Sequence, residues 1–172
     1  MSTQPQGLYR KFNVSRTDGR DQPGGDRVGA EYFVCDLTYD KFSRAALLAY
    51  AGVCKHEYPD LSRDLIDRAF APVAVVRDEN GLFCHPVTNA CNEDEYADAA
   101  DWLGQYGFEC SIVEFESDAP GNVADRYFDT GEGCAEWAPT PPDGDGWYLL
   151  AIYDGDDGPG ALFIRKAMEV NA

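Results

Sequence analysis

The distribution of charge constrains this chain more than any motif does. Between Asp78 and Ile164 there are twenty acidic residues and a single base, Arg126. Residues 1–70 carry ten acids and ten bases, so a neutral head precedes a stretch with a local charge of minus 19. Because like charges repel one another in a compact state, any fold of this stretch must hold its acids at the surface and apart.

The chain nevertheless has the composition of a folded protein. Of its 172 residues, 44% are hydrophobic and 13% are aromatic, values too high for a disordered acidic tail. A chain of this length can bury roughly two thirds of the surface that it exposes when unfolded. The sequence has no apolar run typical of a signal peptide or a membrane span, so we expect a cytoplasmic protein.

Apolar periodicity predicts an α+β fold with a mainly antiparallel sheet and about three helices. Helices are expected over residues 40–54, from Pro59 onward and over residues 92–106, the first with the apolar stripe Phe42, Ala46, Ala49 and Val53. Strands are expected over residues 8–16, 31–37, 73–77, 82–85, 108–116, 147–153 and 161–166. Residues 17–29 and 120–142 are predicted to be mostly loop.

The Ala71-Pro72 pair marks the predicted domain boundary. It separates a charge-neutral α+β head, residues 1–70, from an acidic α+β part, residues 71–172, and we expect the two to pack as one compact unit. The arginines of the head are interpreted as partners of nearby acids or of the acidic part.

The candidate functional residues are acids that would form a partner-binding surface. On the predicted third helix, Asp94, Asp98 and Asp101 are spaced i, i+4 and i+7, which places them in one exposed row. The full predicted set is Glu93, Asp94, Glu95, Asp98, Asp101, Glu114, Glu116, Asp154, Asp156 and Asp157. Duplex DNA presents one charge per ~1.7 Å of its axis, so a protein that imitates its phosphates needs a high density of carboxylates as well as a high total charge.

This surface predicts a binding protein whose partner is a basic, nucleic-acid-handling protein such as a nuclease, a repressor or a CRISPR effector. The same charge disfavours direct binding to nucleic acid or to an anionic membrane. Two alternatives stay open. One is a small hydrolase or metal-dependent enzyme that uses acidic loop residues, and the other is an accessory protein whose acidity serves only solubility.

Motifs for catalysis and metal binding are weak. The calcium-binding loop of an EF-hand needs Asp or Asn at its fifth position. In a loop that begins at Asp154 this position is Gly158, and in a loop that begins at Asp143 it is Trp147, so neither loop matches. Cys84 and His85 are adjacent, so on a strand their side chains point to opposite faces. No pair of cysteines has the spacing of a zinc site. We therefore expect reduced cysteines, no enzyme activity, no metal and no cofactor.

Two segments resemble known proteins. The head carries Tyr9-Arg-Lys-Phe, Arg16-Thr-Asp-Gly, Pro23-Gly-Gly and then Glu31 to Asp40, and the tail carries Gly146 to Asp154. They are similar to the two ends of small acidic, uncharacterised proteins encoded by bacteria and their phages. The resemblance implies a phage or prophage origin, the host cytoplasm as location, and an anti-defence role of the anti-restriction or anti-CRISPR type.

Overall fold

In the computed structural model, which describes residues 11–90 and 98–168, the chain divides into two units, Met1–Asp40 and Lys41–Ala172. The first unit, described from residue 11, consists of turns held by ion pairs. Arg16 pairs with Asp18, and Arg20 pairs with Asp26. The hydrogen bond from Arg16 holds the pKa of the Asp18 carboxyl well below its usual range. These arginines therefore balance acids close to them in the sequence.

The two strands predicted in the head are wrong where the structure describes them. Residues 11–16 and 31–37 form no strand, whereas residues 17–29 are a succession of turns, as predicted. Phe12 is 49% exposed and Phe33 is 80% exposed. Alternating apolar residues indicate a strand only when one of its faces is buried, and these side chains have no core to face.

The second unit, within its described residues, contains five α-helices and a four-stranded sheet. The helices are α1 (Ser43–Cys54), α2 (Pro59–Phe70), α3 (Ala99–Gly104), α4 (Phe115–Asp118) and α5 (Gly121–Thr130), and a 3-10 helix covers Pro86–Ala90. The strands are β1 (Phe83–Cys84), β2 (Phe108–Glu114), β3 (Tyr148–Gly155) and β4 (Gly158–Lys166). The predicted α+β class with an antiparallel sheet is confirmed.

The strands follow the order β1-β3-β4-β2, and every neighbouring pair is antiparallel. Strand β4 is central and has both faces covered. Leu162 and Ile164 join one hydrophobic cluster with residues of α1, α2 and α3, while Ala161 and Phe163 join a second cluster with residues of α4 and α5. The helices therefore form a layer on each side of the sheet.

Helix α1 turns its predicted buried stripe outward. Phe42 is 62% exposed and Val53 is 86% exposed, whereas Leu48 and Ala51 are buried. The rotation follows from Arg44, whose buried guanidinium donates to the carbonyls at the end of α2. The helix also begins later than the expected residue 40, at Ser43, and no side chain caps it.

Helix α5 corrects the prediction that residues 120–142 are mostly loop. Pro120 precedes the helix, and Gly131 ends it with a φ of 71° and an N–H that donates to the Tyr127 carbonyl over 2.8 Å. Its buried face is narrow, with Val123 and Ala124 inside. The segment is nevertheless amphipathic, because Val123 and Tyr127 are spaced i, i+4 and both join the core. This spacing, with Pro120 and Gly131 at the ends, is the signal that the prediction missed.

The predicted strand over residues 73–77 is not observed, and the predicted third helix is observed only in part. Residues 73–77 form no strand, and β1 pairs with β3 instead of with them. The predicted helix over 92–106 is seen as α3, and its expected start falls in residues 91–97, outside the described part. Helices α1 and α2, which the sequence assigned to the head, lie in the second unit.

Among the residues described, no helix combines the length and the apolarity needed to cross a bilayer.

Candidate partner-binding surface

The β3–β4 hairpin brings several of the predicted acids to one end of the sheet. Gly155 pairs with Gly158, so Asp156 and Asp157 form the turn between the strands. Glu114, the last residue of β2, pairs with Gly160 on the other side of β4. Neighbouring strands are about 4.8 Å apart. We call the exposed acids Glu114, Asp154, Asp156 and Asp157 the hairpin-end surface.

The other predicted residues lie elsewhere. Glu116 follows β2 in α4 and is exposed beside this surface. Asp98 caps α3 by accepting from the N–H of Asp101 over 3.4 Å, and both are exposed. Burial raises the pKa of the Cys110 thiol, and the negative charge of Asp98 raises it further, so Asp98 lies near Cys110. Cys110 is on β2, four residues or about 13 Å from Glu114. Glu93, Asp94 and Glu95 lie outside the described residues.

Three of the four bases of the acidic part form ion pairs with acids outside the hairpin-end surface, and the fourth, Arg77, donates to backbone carbonyls. Arg126 pairs with Glu132 and Glu136, Arg165 with Glu109, and Lys166 with Asp67. Across residues 11–90 and 98–168, no ion pair neutralises any of the four acids of the surface. Their carboxylates are therefore exposed to solvent and are not paired with a base in the described part of the chain.

Helix α5 adds two aromatic side chains that the sequence analysis missed. The hydroxyl of Tyr127 donates to Asp154 Oδ1 over 2.6 Å. This hydrogen bond, more than burial, raises the pKa of Tyr127 to about 12. The ring of Phe128 is 52% exposed and covers Gly158, where an added Cβ would lie 3.4 Å from it. The hairpin-end surface thus combines oriented carboxylates with an accessible ring.

A cleft of about 290 Å³ opens beside Asp154. It is lined by Asn80, Leu82, Tyr127, Gly131, Gly133, Cys134, Asp154 and Pro159. One wall is a close backbone contact, because the N–H of Cys134 donates to the Asn80 carbonyl over 2.9 Å. A Cβ on Gly133 would approach the Asn80 carbonyl oxygen to 2.5 Å, so a side chain larger than glycine does not fit there.

The histidine and cysteines of this region are the residue types that most often take part in catalysis, and His85 is hydrogen-bonded to the backbone. His85 is fully buried, its Nε2 donates to the Ala71 carbonyl over 3.1 Å, and its Nδ1 accepts from the Val87 N–H. Cys84 is exposed on the other face, which is the arrangement expected from their adjacency. Burial raises the pKa of the Cys134 thiol, which favours its protonated form. In the part of the chain that is described, no cluster of three or more His, Cys, Asp or Glu could hold a metal ion.

No protein family, curated protein or solved structure matches this chain. The resemblance of its two ends to small bacterial and phage proteins therefore stays a prediction. The functional interpretation depends on the geometry of the hairpin-end surface and on the distribution of charge.

Proposed function

We propose that this protein acts by binding a basic protein that handles nucleic acid, and that the hairpin-end surface is its contact region. The observation that carries the proposal is four exposed carboxylates with no ion pair in the described fold, on a chain of net charge minus 17. A field of one sign speeds the encounter with a cationic groove. The carboxylates would then occupy positions that phosphates otherwise fill.

The support for binding, beyond charge, is that the backbone beneath these acids is held by the sheet. The acids lie at strand ends and in a two-residue turn, and Asp154 is further fixed by Tyr127. Groups held in place before binding lose less conformational entropy when the complex forms. Exposed ion pairs contribute only about 0.2–1 kcal/mol each, so the affinity depends on several of these carboxylates acting together, and the accessible Phe128 ring adds apolar contact beside them.

The proposal includes no catalytic step, since His85 and Cys134 make structural contacts. It extends to the role implied by the resemblance of the two ends of the chain. That role is inhibition of a nuclease, repressor or CRISPR effector in the cytoplasm of a bacterial host.

The proposal is tested with two variants that each remove three negative charges. E114Q/D156N/D157N neutralises the hairpin-end surface but keeps Asp154. E57Q/D60N/D64N neutralises exposed acids of the α1–α2 region, where bases and acids are nearly balanced. Circular dichroism establishes that both variants fold.

Each immobilised protein is then offered a bacterial lysate. The wild type and the control variant should capture net-basic proteins that bind nucleic acid. These proteins should be released when the salt is raised from about 50 to about 200 mM, or when duplex DNA is added. E114Q/D156N/D157N should capture much less of them. Equal capture by both variants, or capture that neither salt nor DNA disturbs, would contradict the proposal.

A further inference from the structure

The cleft beside Asp154 has the features of a site for a single cationic side chain. Its volume of about 290 Å³ lies at the lower limit of ligand pockets, which span about 300–1,000 Å³. Its wall at Gly133 is fixed by the backbone contact with Asn80, so the cleft is formed before any ligand enters.

The carboxylate of Asp154 retains acceptor capacity. The Tyr127 hydroxyl takes one position on Oδ1, and a carboxylate offers about four lone-pair positions in all. Among the described residues, no other group donates a hydrogen bond to this carboxylate. The hydrogen bond from Tyr127 also orients the group, so a donor that enters the cleft meets a fixed acceptor.

Arg77 is the base associated with the wall of this cleft, and it is engaged elsewhere. Its guanidinium donates to the carbonyls of Gly81, Cys134 and Trp137. Its Nη2 also contacts Cys134 Sγ at 3.6 Å. All three of its nitrogens are used, and Asp154 is not among its partners.

We propose that this cleft binds an arginine side chain of the basic partner, an inference that rests on the proposed function. A planar guanidinium donates two parallel hydrogen bonds to a carboxylate, which a lysine ammonium cannot do. It also stacks on aromatic rings, and the Tyr127 ring lines the same cleft. Arginine is enriched among the residues that dominate binding energy at protein interfaces. The bound arginine anchors the partner beside the hairpin-end surface.

The experiment titrates the isotope-labelled full chain with Nα-acetyl-arginine amide and follows the backbone amides by NMR. Nα-acetyl-citrulline amide has a similar shape without the charge, and Nα-acetyl-lysine amide has the charge without the planar fork. Saturable shifts of Gly131, Gly133 and Asp154 are expected with the arginine compound. Binding of the citrulline and lysine compounds should be about tenfold weaker or more, since they lack the charge or the paired donors.

Variants assign the effect to Asp154. D154N keeps an acceptor for Tyr127 and should weaken binding of the arginine compound by about tenfold or more. E57Q/D60N/D64N, which removes three charges from the α1–α2 region, should change it little. Equal shifts with the arginine and citrulline compounds, equal affinity for the lysine compound, or unchanged affinity in D154N would each overturn the proposal.

The two proposals fail separately. If the arginine compound does not bind but salt-sensitive capture of basic proteins persists, the cleft assignment is wrong and the proposed function stands. If the arginine compound binds but basic proteins are not captured, the proposed function is wrong.

Discussion

Three buried or half-buried side chains satisfy the carbonyls at the end of α2, which a helix C-terminus leaves without partners. Arg44 Nη1 donates to the carbonyls of Arg68, Ala69 and Ala71 at 3.0, 2.7 and 3.1 Å. His85 donates to the Ala71 carbonyl, and the Tyr148 hydroxyl donates to the Phe70 carbonyl over 2.8 Å. A cation at this end also interacts favourably with the helix dipole. This cluster fixes α2 to α1 and to the sheet.

Replacing Arg44 by Met should therefore destabilise the fold. The apolar side chain fills similar space but leaves buried carbonyls without donors, at a cost of about 2–4 kcal/mol. R63M is the control, because the Arg63–Asp60 pair is exposed. The measurement is the free energy of unfolding in urea. An R44M protein as stable as R63M would show that the carbonyls have other partners.

His85 predicts a specific dependence of stability on pH. Burial lowers its pKa to about 4 from the model-compound value of 6.5, although the Ala71 bond opposes the shift. Between these values the unfolded chain binds a proton that the folded chain does not. Stability from this group is therefore full above pH 6.5 and is lost as pH falls towards 4, by about 3 kcal/mol in total.

The variant H85Q isolates this effect, because glutamine can keep both hydrogen bonds and has no charge to gain. The difference in unfolding free energy between wild type and H85Q, measured from pH 7 to pH 4.5, should fall with pH. Carboxylates titrate in both proteins and cancel in the difference. A difference that stays flat over this range would mean that His85 is protonated as easily in the folded state as in the unfolded state.

At the scale of elements, the sequence predicted correctly those helices and strands whose pattern is compatible with a single arrangement. The strand predicted over residues 161–166 is part of β4, one of the two inner strands, and Pro59 correctly marked the start of α2. The apolar residues of α1 allow either of two faces of the helix to be buried. The hydrogen bonds from Arg44 to the end of α2 determine the buried face, and it is not the one that the local pattern favoured. Such contacts join residues far apart in the chain, so periodicity alone cannot reveal them.

The observed rotation of α1 is tested by two truncations on the same helix. Leu48 is buried in the core, whereas Val53 is 86% exposed. L48A should lose about 2–5 kcal/mol of stability, and V53A should change it by at most about 0.5 kcal/mol. Thermal or urea unfolding of both variants gives the comparison. The reverse order of the two effects would show that the predicted stripe is the buried one.

At the scale of the whole molecule, the uneven distribution of charge was fully visible in the sequence, but the composition of the surface was not. The acids of the last hairpin were predicted, because turn residues between two apolar strands are readily recognised. The Tyr127–Asp154 bond and the cleft were not, because the bond joins residues 27 positions apart and the cleft is lined by residues from Asn80 to Pro159. The predicted row on α3 is seen only in part, and Asp98 serves there as a helix cap.

The excess of negative charge predicts that the protein itself does not bind nucleic acid. Phosphates are repelled by the acidic part, and Arg16 and Arg20 of the head are already paired with acids. In an electrophoretic mobility assay at physiological salt, duplex DNA and single-stranded RNA should migrate unchanged as protein is added. A clear shift would show that the head offers a free basic surface.

The central claim is that charge at the hairpin-end surface drives binding of a basic partner. Its most direct test is the affinity for a purified captured partner, measured by calorimetry across a series of salt concentrations. The affinity of both the wild type and E57Q/D60N/D64N for the partner should fall steeply as the salt concentration rises. E114Q/D156N/D157N should bind about 1–3 kcal/mol more weakly at low salt and depend less on salt, taking each rim charge as worth up to about 1 kcal/mol. An affinity independent of salt, or the same loss in both triple variants, would contradict this account.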